Sequence, residues 1–322
     1  MSRFIGKWDA ERPQQHSTLN VERENERNMS NFTEENLTEA VLAQIKADNP
    51  RTQQVVTSLV KHLHAFVREI EPTEAEWFTA IDFLTRTGQK CDDKRQEFIL
   101  LSDTLGVSML VDAINHRRGG GTTESTVLGP FHAPAQHFNL GDTIARGPEA
   151  TRGEPCLVRG RVFDAAGKPI ANATLDVWQA ADDGFYDVQP ESNQPEMNLR
   201  GIFQADAVGA FWFRTIKPKY YPVPTDGPVG ELLCATGRHP MRPAHIHFMI
   251  EAPGYERLVT HIFVEGSEYL ESDAVFGVKD SLVAEFRKNE STAAAAQYGL
   301  RTPFSEVAYD FVLTPAVNDE TF

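Results

Sequence analysis

The sequence is poor in cysteine, in positive charge and in long apolar runs, and each shortage removes a class of protein. Cys91, Cys156 and Cys234 are its three cysteines. They cannot all pair and no Cys-x-x-Cys spacing occurs, so no disulfide scaffold is expected, and a reducing cytoplasm is the simplest setting. With 46 acidic against 31 basic residues and a net charge of −15, there is no broad basic face for nucleic acid or for an anionic membrane. No stretch approaches the ~18 apolar residues of a membrane span, and the start Met1-Ser2-Arg3-Phe4-Ile5-Gly6-Lys7 lacks the apolar run of an export signal. No heptad or other internal repeat is visible.

What is present divides along the chain. Residues 1–33 are polar, rich in Arg, Glu, Asn and Gln, and read as a loosely docked extension in which Met29 is an alternative start. Residues 34–121 read as helical. A start at Thr33-Glu34-Glu35 leads into apolar spacing through Leu42, Ile45, Val55, Leu59, Leu63 and Val67; Thr73 and Glu76 form a capping box; a further helix runs from Phe98 to Val111. The run Arg117-Arg118-Gly119-Gly120-Gly121 then breaks the pattern, and with no Gly-Lys-Ser/Thr after it this is a boundary and not a phosphate loop. Residues 122–322 hold short β-prone runs at 156–163, 173–179, 210–215, 245–250 and 259–264, with a turn at 164–169 between the first two. The spacing predicts an antiparallel β-sandwich, with one late helix over 280–288. The fold class is thus α+β, a helical segment suited to dimerisation followed by a sandwich.

His245-Ile246-His247 carries the chemistry. Alternate residues of a strand share a face, so the two imidazoles can chelate one ion. They suit zinc, copper, nickel or iron without choosing among them. Tyr186 and Tyr221 lie upstream, each in a turn-rich stretch beside an apolar run. A phenol is a poor ligand until a strongly charged cation removes its proton, so two tyrosines with two histidines point to non-haem Fe(III). Each tyrosine alone would more often be a packing residue. Arg242, set just ahead of the pair by Pro243, can face negative charge developing on a substrate. The run Arg238-His239-Pro240-Met241-Arg242 is the one candidate basic patch for an anionic substrate.

Arg242-Pro243-Ala244-His245-Ile246-His247, the two upstream tyrosines, and Glu124-Ser125-Thr126-Val127-Leu128-Gly129-Pro130-Phe131-His132 together resemble the intradiol ring-cleaving dioxygenases, with the match running from about Leu37 to Leu313. The resemblance implies an Fe(III) enzyme that inserts both atoms of O2 between the hydroxyl-bearing carbons of an aromatic diol or triol, and a homodimer joined through the N-terminal helices. It implies Tyr186, Tyr221, His245 and His247 as ligands, with Tyr221 leaving to accept a substrate proton, and Arg242 as the group that stabilises charge on the ring. It implies a substrate pocket of Leu100, Asp103, Val127, Leu128, Gly129, Pro130, Phe131, Val223, Pro224 and Val275. His261 stands where many catechol-cleaving relatives have glutamine. The details are similar to the branch that acts on hydroxyquinol (1,2,4-trihydroxybenzene), with catechol and chlorocatechols as alternatives. Asp103, a carboxylate on an apolar helix face, needs a partner, and a third ring hydroxyl would supply one.

Two other readings compete. His245-x-His247-x-x-x-Glu251 fits the middle of a cupin motif, which would use Glu251 in place of the tyrosines. The stretch Val158–Ala173 resembles transthyretin-like sandwiches that bind without chemistry, and such a module should hold no iron.

Overall fold

The computed structural model describes residues 32–316 except 94, 118–119, 190–191 and 193. Most of the expected N-terminal extension, with Met29, and Arg118 and Gly119 of the glycine run lie outside the described residues. Residues through Ala80 form one compact unit and those from Ile81 onward a second.

In the first unit, helices α1 (Leu37–Gln44) and α2 (Pro50–Ile70) follow one another. The apolar spacing suggested continuous helix through Ile45 and Val55, but the chain breaks at 45–49. There the Asn49 side chain accepts from the N–H groups of Arg51 and Thr52, and Pro50 opens α2 at the position where a missing N–H costs nothing. Gln53 fastens the break by bonding the Ile45 carbonyl and the Ala47 N–H, each at 2.8 Å. On α2, Val55, Leu59, Leu63, Phe66 and Ile70 form an exposed apolar stripe at helical spacing. Helix α3 (Glu74–Gln89) starts with the expected capping box: the Thr73 N–H reaches the Glu76 carboxylate at 2.8 Å, and the Glu76 N–H reaches the Thr73 hydroxyl at 3.3 Å.

In the second unit, the stretch expected as one helix from Phe98 to Val111 is two, α4 (Glu97–Thr104) and α5 (Val107–Asn115). Gly106 between them has φ +73°, a conformation that ends a helix and that glycine adopts without strain. After a single turn, α6 (Glu149–Arg152), the sandwich begins. Its strands are β1 (Pro155–Asp164), β2 (Thr174–Trp178), β3 (Arg200–Gln204) and β4 (Ala210–Ile216), then the short β5 (Tyr221–Pro222), α7 (Pro228–Ala235) and β6 (Met241–Arg242). There follow β7 (His245–Glu251), β8 (Leu258–Val264), β9 (Val283–Ala284), β10 (Arg287–Asn289), α8 (Thr292–Tyr298), β11 (Phe304–Ala308) and β12 (Phe311–Leu313).

One sheet runs β10-β11-β1-β12 with β4 also on β1; the other runs β3-β2-β7-β8-β9; β5 and β6 form a separate ladder. The sandwich is mixed, because β1 pairs in parallel with β11 and β12, and β8 with β9. Gly160 lets β1 pass from β11 to β12: a Cβ there would meet the Tyr309 carbonyl oxygen at 1.8 Å. The turn at 164–169 exists, closed by Asp164 and Lys168, yet it carries the chain from one sheet to the other instead of joining a hairpin.

The helix expected over 280–288 is absent. A 3-10 turn (Asp280–Leu282) leads into β9 and β10. Leu282, Ala284 and Phe286 are buried at period two, and that strand pattern outweighed helical propensity. The nearby helix is instead α8, capped by the Ser291 hydroxyl on the Ala294 N–H and ended by Gly299.

Val158, Val162, Phe211 and Phe213 of one sheet meet Leu175, Val177, Ile246, Phe248 and Ile250 of the other in a closed core. Each such ring or branched chain contributes roughly 1.5–3 kcal/mol on burial. Because Ile246, Phe248 and Ile250 point into that core, strand alternation turns His245 and His247 to the opposite face.

Candidate metal centre

Three segments converge on that face. The loop after β2 brings Tyr186, β5 brings Tyr221, and β7 brings the two histidines. The Tyr186 loop is anchored by a buried ion pair between its neighbour Asp187 and Arg200 of β3, whose guanidinium also donates to the Phe131 carbonyl. Gly184 has φ +85°, where a side chain would be strained, and a Cβ there would stand 3.4 Å from the Tyr221 Cβ, so the two tyrosine segments pass close to one another. Tyr221 is fixed from the other side by its ladder partner Arg242.

The four polar atoms form one cluster. Tyr221 Oη lies 3.2 Å from Tyr186 Oη, which lies 3.1 Å from His247 Nε2, which lies 3.1 Å from His245 Nε2. Donors bound to one ion at about 2.0–2.1 Å stand roughly 2.8–3.4 Å apart, from right-angled to tetrahedral arrangements. These three separations all fall in that range, as expected of donors to a single ion. His245 Nδ1 donates to the Pro243 carbonyl at 2.7 Å, which leaves Nε2 as the free lone pair. Among the described residues His247 has no such partner at Nδ1; its ring is held flat against Trp178 instead.

Protonation matches this donor set. Burial, with the Arg242 charge beside it, pushes His245 down to about 3. His247 and His261 are likewise held well below the usual imidazole range by burial and by the surrounding histidines and Arg242. All three imidazoles are therefore neutral at physiological pH, the form in which an imidazole can bind a metal. Burial against Tyr221 holds the Tyr186 phenol well above its ordinary value, so only a strongly charged cation would ionise it.

His261 of β8 stands across from His247, ring centroids 4.1 Å apart, and 4.7 Å from His245. Nitrogens of the three imidazoles lie within 4.8 Å of one another. Neither ring nitrogen of His261 makes a well-formed hydrogen bond among the described residues; the Val127 backbone is the polar group that favours its charged form. Geometry alone thus admits a three-histidine donor set as well as the two-tyrosine, two-histidine one. Glu251, needed by a cupin, is exposed and pairs with Arg257 at the far end of β7.

Arg242 is buried and divides its donors. Nε and Nη2 go to Asp273 at 3.0 and 3.2 Å, while Nη1 faces Tyr221 Oη at 3.4 Å and His245 Nε2 at 3.2 Å. Arg238 donates to the carbonyls of Thr104 and Ala274 and sits 4.9 Å over the Phe276 ring. The run from Arg238 to Arg242 is therefore no open basic face, because Arg238 is bonded to two carbonyls and Arg242 is buried with Nη1 alone turned to the tyrosine and histidine cluster.

Of the expected pocket, Leu100, Val127, Val223 and Val275 pack in one apolar cluster with Val229 and Leu233. Asp103 is 3% exposed on α4 beside Leu100. Burial raises its carboxyl, opposed by a hydrogen bond from Ser108 and the charge of Arg242. Phe131 stacks on Tyr186 at 4.6 Å. Gly129 has φ +76°, and a Cβ there would stand 3.3 Å from the His247 ring. Pro224 is half-buried, whereas Leu128 and Pro130, flanking Gly129, are exposed. Asp273 and Arg200 escaped the sequence reading, since a buried ion pair between distant segments leaves no local pattern.

Comparison with known proteins agrees with this arrangement. Residues 127–315 match the family model described as Dioxygenase, and residues 49–123 match Catechol dioxygenase N terminus. The chain is 53% identical to a hydroxyquinol 1,2-dioxygenase of Rhizobium sp. (strain MTP-10005), covering 88% of this chain and 96% of that protein. It is 52% identical to a 6-chlorohydroxyquinol 1,2-dioxygenase of Cupriavidus pinatubonensis, covering 90% of this chain and all (100%) of the relative. Among solved structures, hydroxyquinol 1,2-dioxygenase from Pseudomonas putida DLL-E4 superposes with a TM-score of 0.81 at 49% identity, covering 88% of this chain and 99% of that one.

Proposed function

The chain belongs to the intradiol ring-cleaving dioxygenases, and from that premise we propose that it opens hydroxyquinol between the two adjacent hydroxyl-bearing carbons. Both atoms of O2 enter the product, 3-hydroxy-cis,cis-muconate, which tautomerises to maleylacetate; no external reductant is needed. The substrate choice rests on Asp103, a buried carboxyl on α4, the helix that also supplies Leu100 to the cluster with Val127, Val223 and Val275. Ser108 donates one hydrogen bond to that carboxyl; a diol adds nothing to it, whereas the third hydroxyl of hydroxyquinol pairs with the acceptor capacity that remains. The relatives near half identity that cleave hydroxyquinols support the same choice.

The cofactor in this reading is non-haem Fe(III) held by Tyr186, Tyr221, His245 and His247. Two phenol oxygens are hard anionic donors once ionised, which favours a trivalent ion over the softer ions a three-histidine set would take. When bound, the ion lowers the pKa of the phenols and of the substrate hydroxyls and makes the ring electron-rich enough to react with O2. The chain's own groups do the rest. Tyr221 Oη accepts one of the protons the substrate loses, while Tyr186, clamped by the Phe131 ring and the Asp187–Arg200 pair, keeps its place. Arg242 Nη1 stabilises negative charge on the ring from a fixed position in a site closed to water. The apolar cluster holds the ring's unreactive edge, and His261 lines the histidine side of the site.

Oxygen uptake with the iron-loaded protein and a panel of hydroxyquinol, catechol and chlorocatechols, with the products identified, tests this directly. Hydroxyquinol should give the highest kcat/KM, and catechol preference would overturn the substrate choice while leaving intradiol cleavage standing.

We further infer a homodimer. The stripe of Val55, Leu59, Leu63, Phe66 and Ile70 on α2 is apolar and exposed in the single chain, and a second copy would cover it. Mass measurement in solution tests this. Three free thiols, with Cys234 exposed, fit a cytoplasmic setting, and among the described residues no helix is long and apolar enough to cross a membrane.

A further inference from the structure

We propose that Asp273 is a positioning residue that aims Arg242, so that one amino group of the guanidinium is presented to the reacting ring and the other donors are tied away from it. The inference rests on the reading of Arg242 as the group that stabilises ring charge.

Four donors converge on the Asp273 carboxylate, two per oxygen. Oδ1 accepts from Arg242 Nε at 3.0 Å and the Val275 N–H at 3.3 Å. Oδ2 accepts from Arg242 Nη2 at 3.2 Å and the Gly277 N–H at 3.0 Å. Both partners of the pair are buried, so water cannot substitute for either. With Nε and Nη2 occupied, the plane of the guanidinium is set, and Nη1 is the group left to face Tyr221 Oη and His245 Nε2. The backbone of Arg242 is fixed independently by its pairing with Tyr221.

The same turn reaches the substrate side. Val275, two residues from Asp273, belongs to the apolar cluster of the proposed pocket, and the Ala274 N–H bonds the Met241 carbonyl at 3.1 Å. Gly277 leaves the pair its room: a Cβ there would stand 3.1 Å from Arg242 Nη2 and 3.2 Å from Asp273 Oδ2. Asp273 thus joins the cation, the strand that carries it and a wall of the pocket. A buried ion pair is weak evidence for a stabilising role, since desolvation offsets its Coulomb gain. Its geometric effect on Nη1 is what the arrangement is suited to supply.

The test uses the iron-loaded, full-length variants Asp273→Asn, Gly277→Ala, Arg242→Gln and Asp273→Asn with Arg242→Gln. Readouts are bound iron, the visible tyrosinate absorption, hydroxyquinol Kd by anaerobic titration, and kcat. Asp273→Asn and Gly277→Ala should keep iron, colour and Kd close to those of the unaltered protein while kcat falls roughly 10- to 100-fold, the usual loss when a partner that orients a site group is removed. In the Arg242→Gln background, Asp273→Asn should lower kcat no further. If Arg242→Gln loses kcat but Asp273→Asn does not, the positioning role is overturned and the reading of Arg242 stands. If Arg242→Gln itself keeps kcat, both fall. A fall in kcat that merely tracks lost iron in Asp273→Asn and Gly277→Ala alike would make the pair structural and also overturn the proposal.

Discussion

Trp178 lies flat against His247, ring centroids 4.7 Å apart and planes 14° from parallel. They are direct cross-strand partners on β2 and β7. His245 is oriented by a hydrogen bond to a carbonyl, but among the described residues His247 Nδ1 has no partner, so the indole face sets its ring. Trp178→Leu should therefore loosen the proposed metal site, raising iron loss to a chelator roughly 10- to 100-fold, as removal of a ligand-orienting partner does elsewhere. Trp178→Phe, which keeps a ring in the stack, should lose much less. Iron remaining after dialysis measures both, and equal retention in the two variants would deny the stack this part.

The two tyrosines should differ. Tyr186 is walled in by Phe131 and Tyr221, whereas Tyr221 Oη also faces Arg242. A protein loaded with Fe(III) should be red-brown from tyrosinate charge transfer. Tyr186→Phe should lose both the colour and the iron. Tyr221→Phe should weaken metal retention and impair turnover, since the oxygen proposed to take a substrate proton is gone. Visible spectra and metal analysis of the two variants decide it, and a Tyr221→Phe protein with unchanged spectrum and turnover would remove Tyr221 from the mechanism.

Much of this site was legible in the sequence because its signals are local. Alternation along 245–250 turns His245 and His247 away from Ile246, Phe248 and Ile250 whatever the neighbouring strands are. The Thr73–Glu76 box is likewise complete within four residues. The failures are of two kinds. Between Asp280 and Lys288 the run Leu282-Val283-Ala284-Glu285-Phe286 satisfies helical and strand periods alike, and only the pairing of Val283 with Phe263 decides for a strand. Asp273 and Arg200 belong to the other kind. Each is an ordinary charged residue until the fold brings it to Arg242 or Asp187, so nothing in its own neighbourhood marks it.

Acid should destabilise the metal-free protein through its buried imidazoles. His245 is depressed to about 3, and His247 and His261 also lie well below an unfolded value of about 6.5. Below that value the unfolded chain binds protons that the folded chain refuses, so unfolding takes up protons and stability falls as pH drops. The stability these groups confer is complete above about pH 6.5 and, for His245, is lost down to about pH 3. Urea midpoints measured from pH 7.5 to 4.5 should decline, and His261→Gln should flatten the decline by removing one of the three groups. An unchanged slope in that variant would show that His261 takes up no proton on unfolding.

Asp103 should decide between hydroxyquinol and catechol. Burial raises its carboxyl toward the neutral form, while Ser108 and Arg242 favour the anion. In either form a buried carboxyl pays for desolvation that the one Ser108 hydrogen bond offsets only in part. Catechol adds no partner beyond the Ser108 hydroxyl, whereas hydroxyquinol brings a hydroxyl, so the difference in binding follows from the acceptor capacity that Ser108 leaves unused. Asp103→Ala removes that penalty for both substrates. Discrimination in kcat/KM should then narrow by roughly 1–3 kcal/mol, the cost of an unpaired buried polar group, mainly through faster turnover of catechol relative to hydroxyquinol. Asp103→Asn, which can still accept and donate, should keep more of the preference than Asp103→Ala. Steady-state kinetics on both substrates measure the gap, and an Asp103→Ala protein with full discrimination would place the selectivity elsewhere in the pocket.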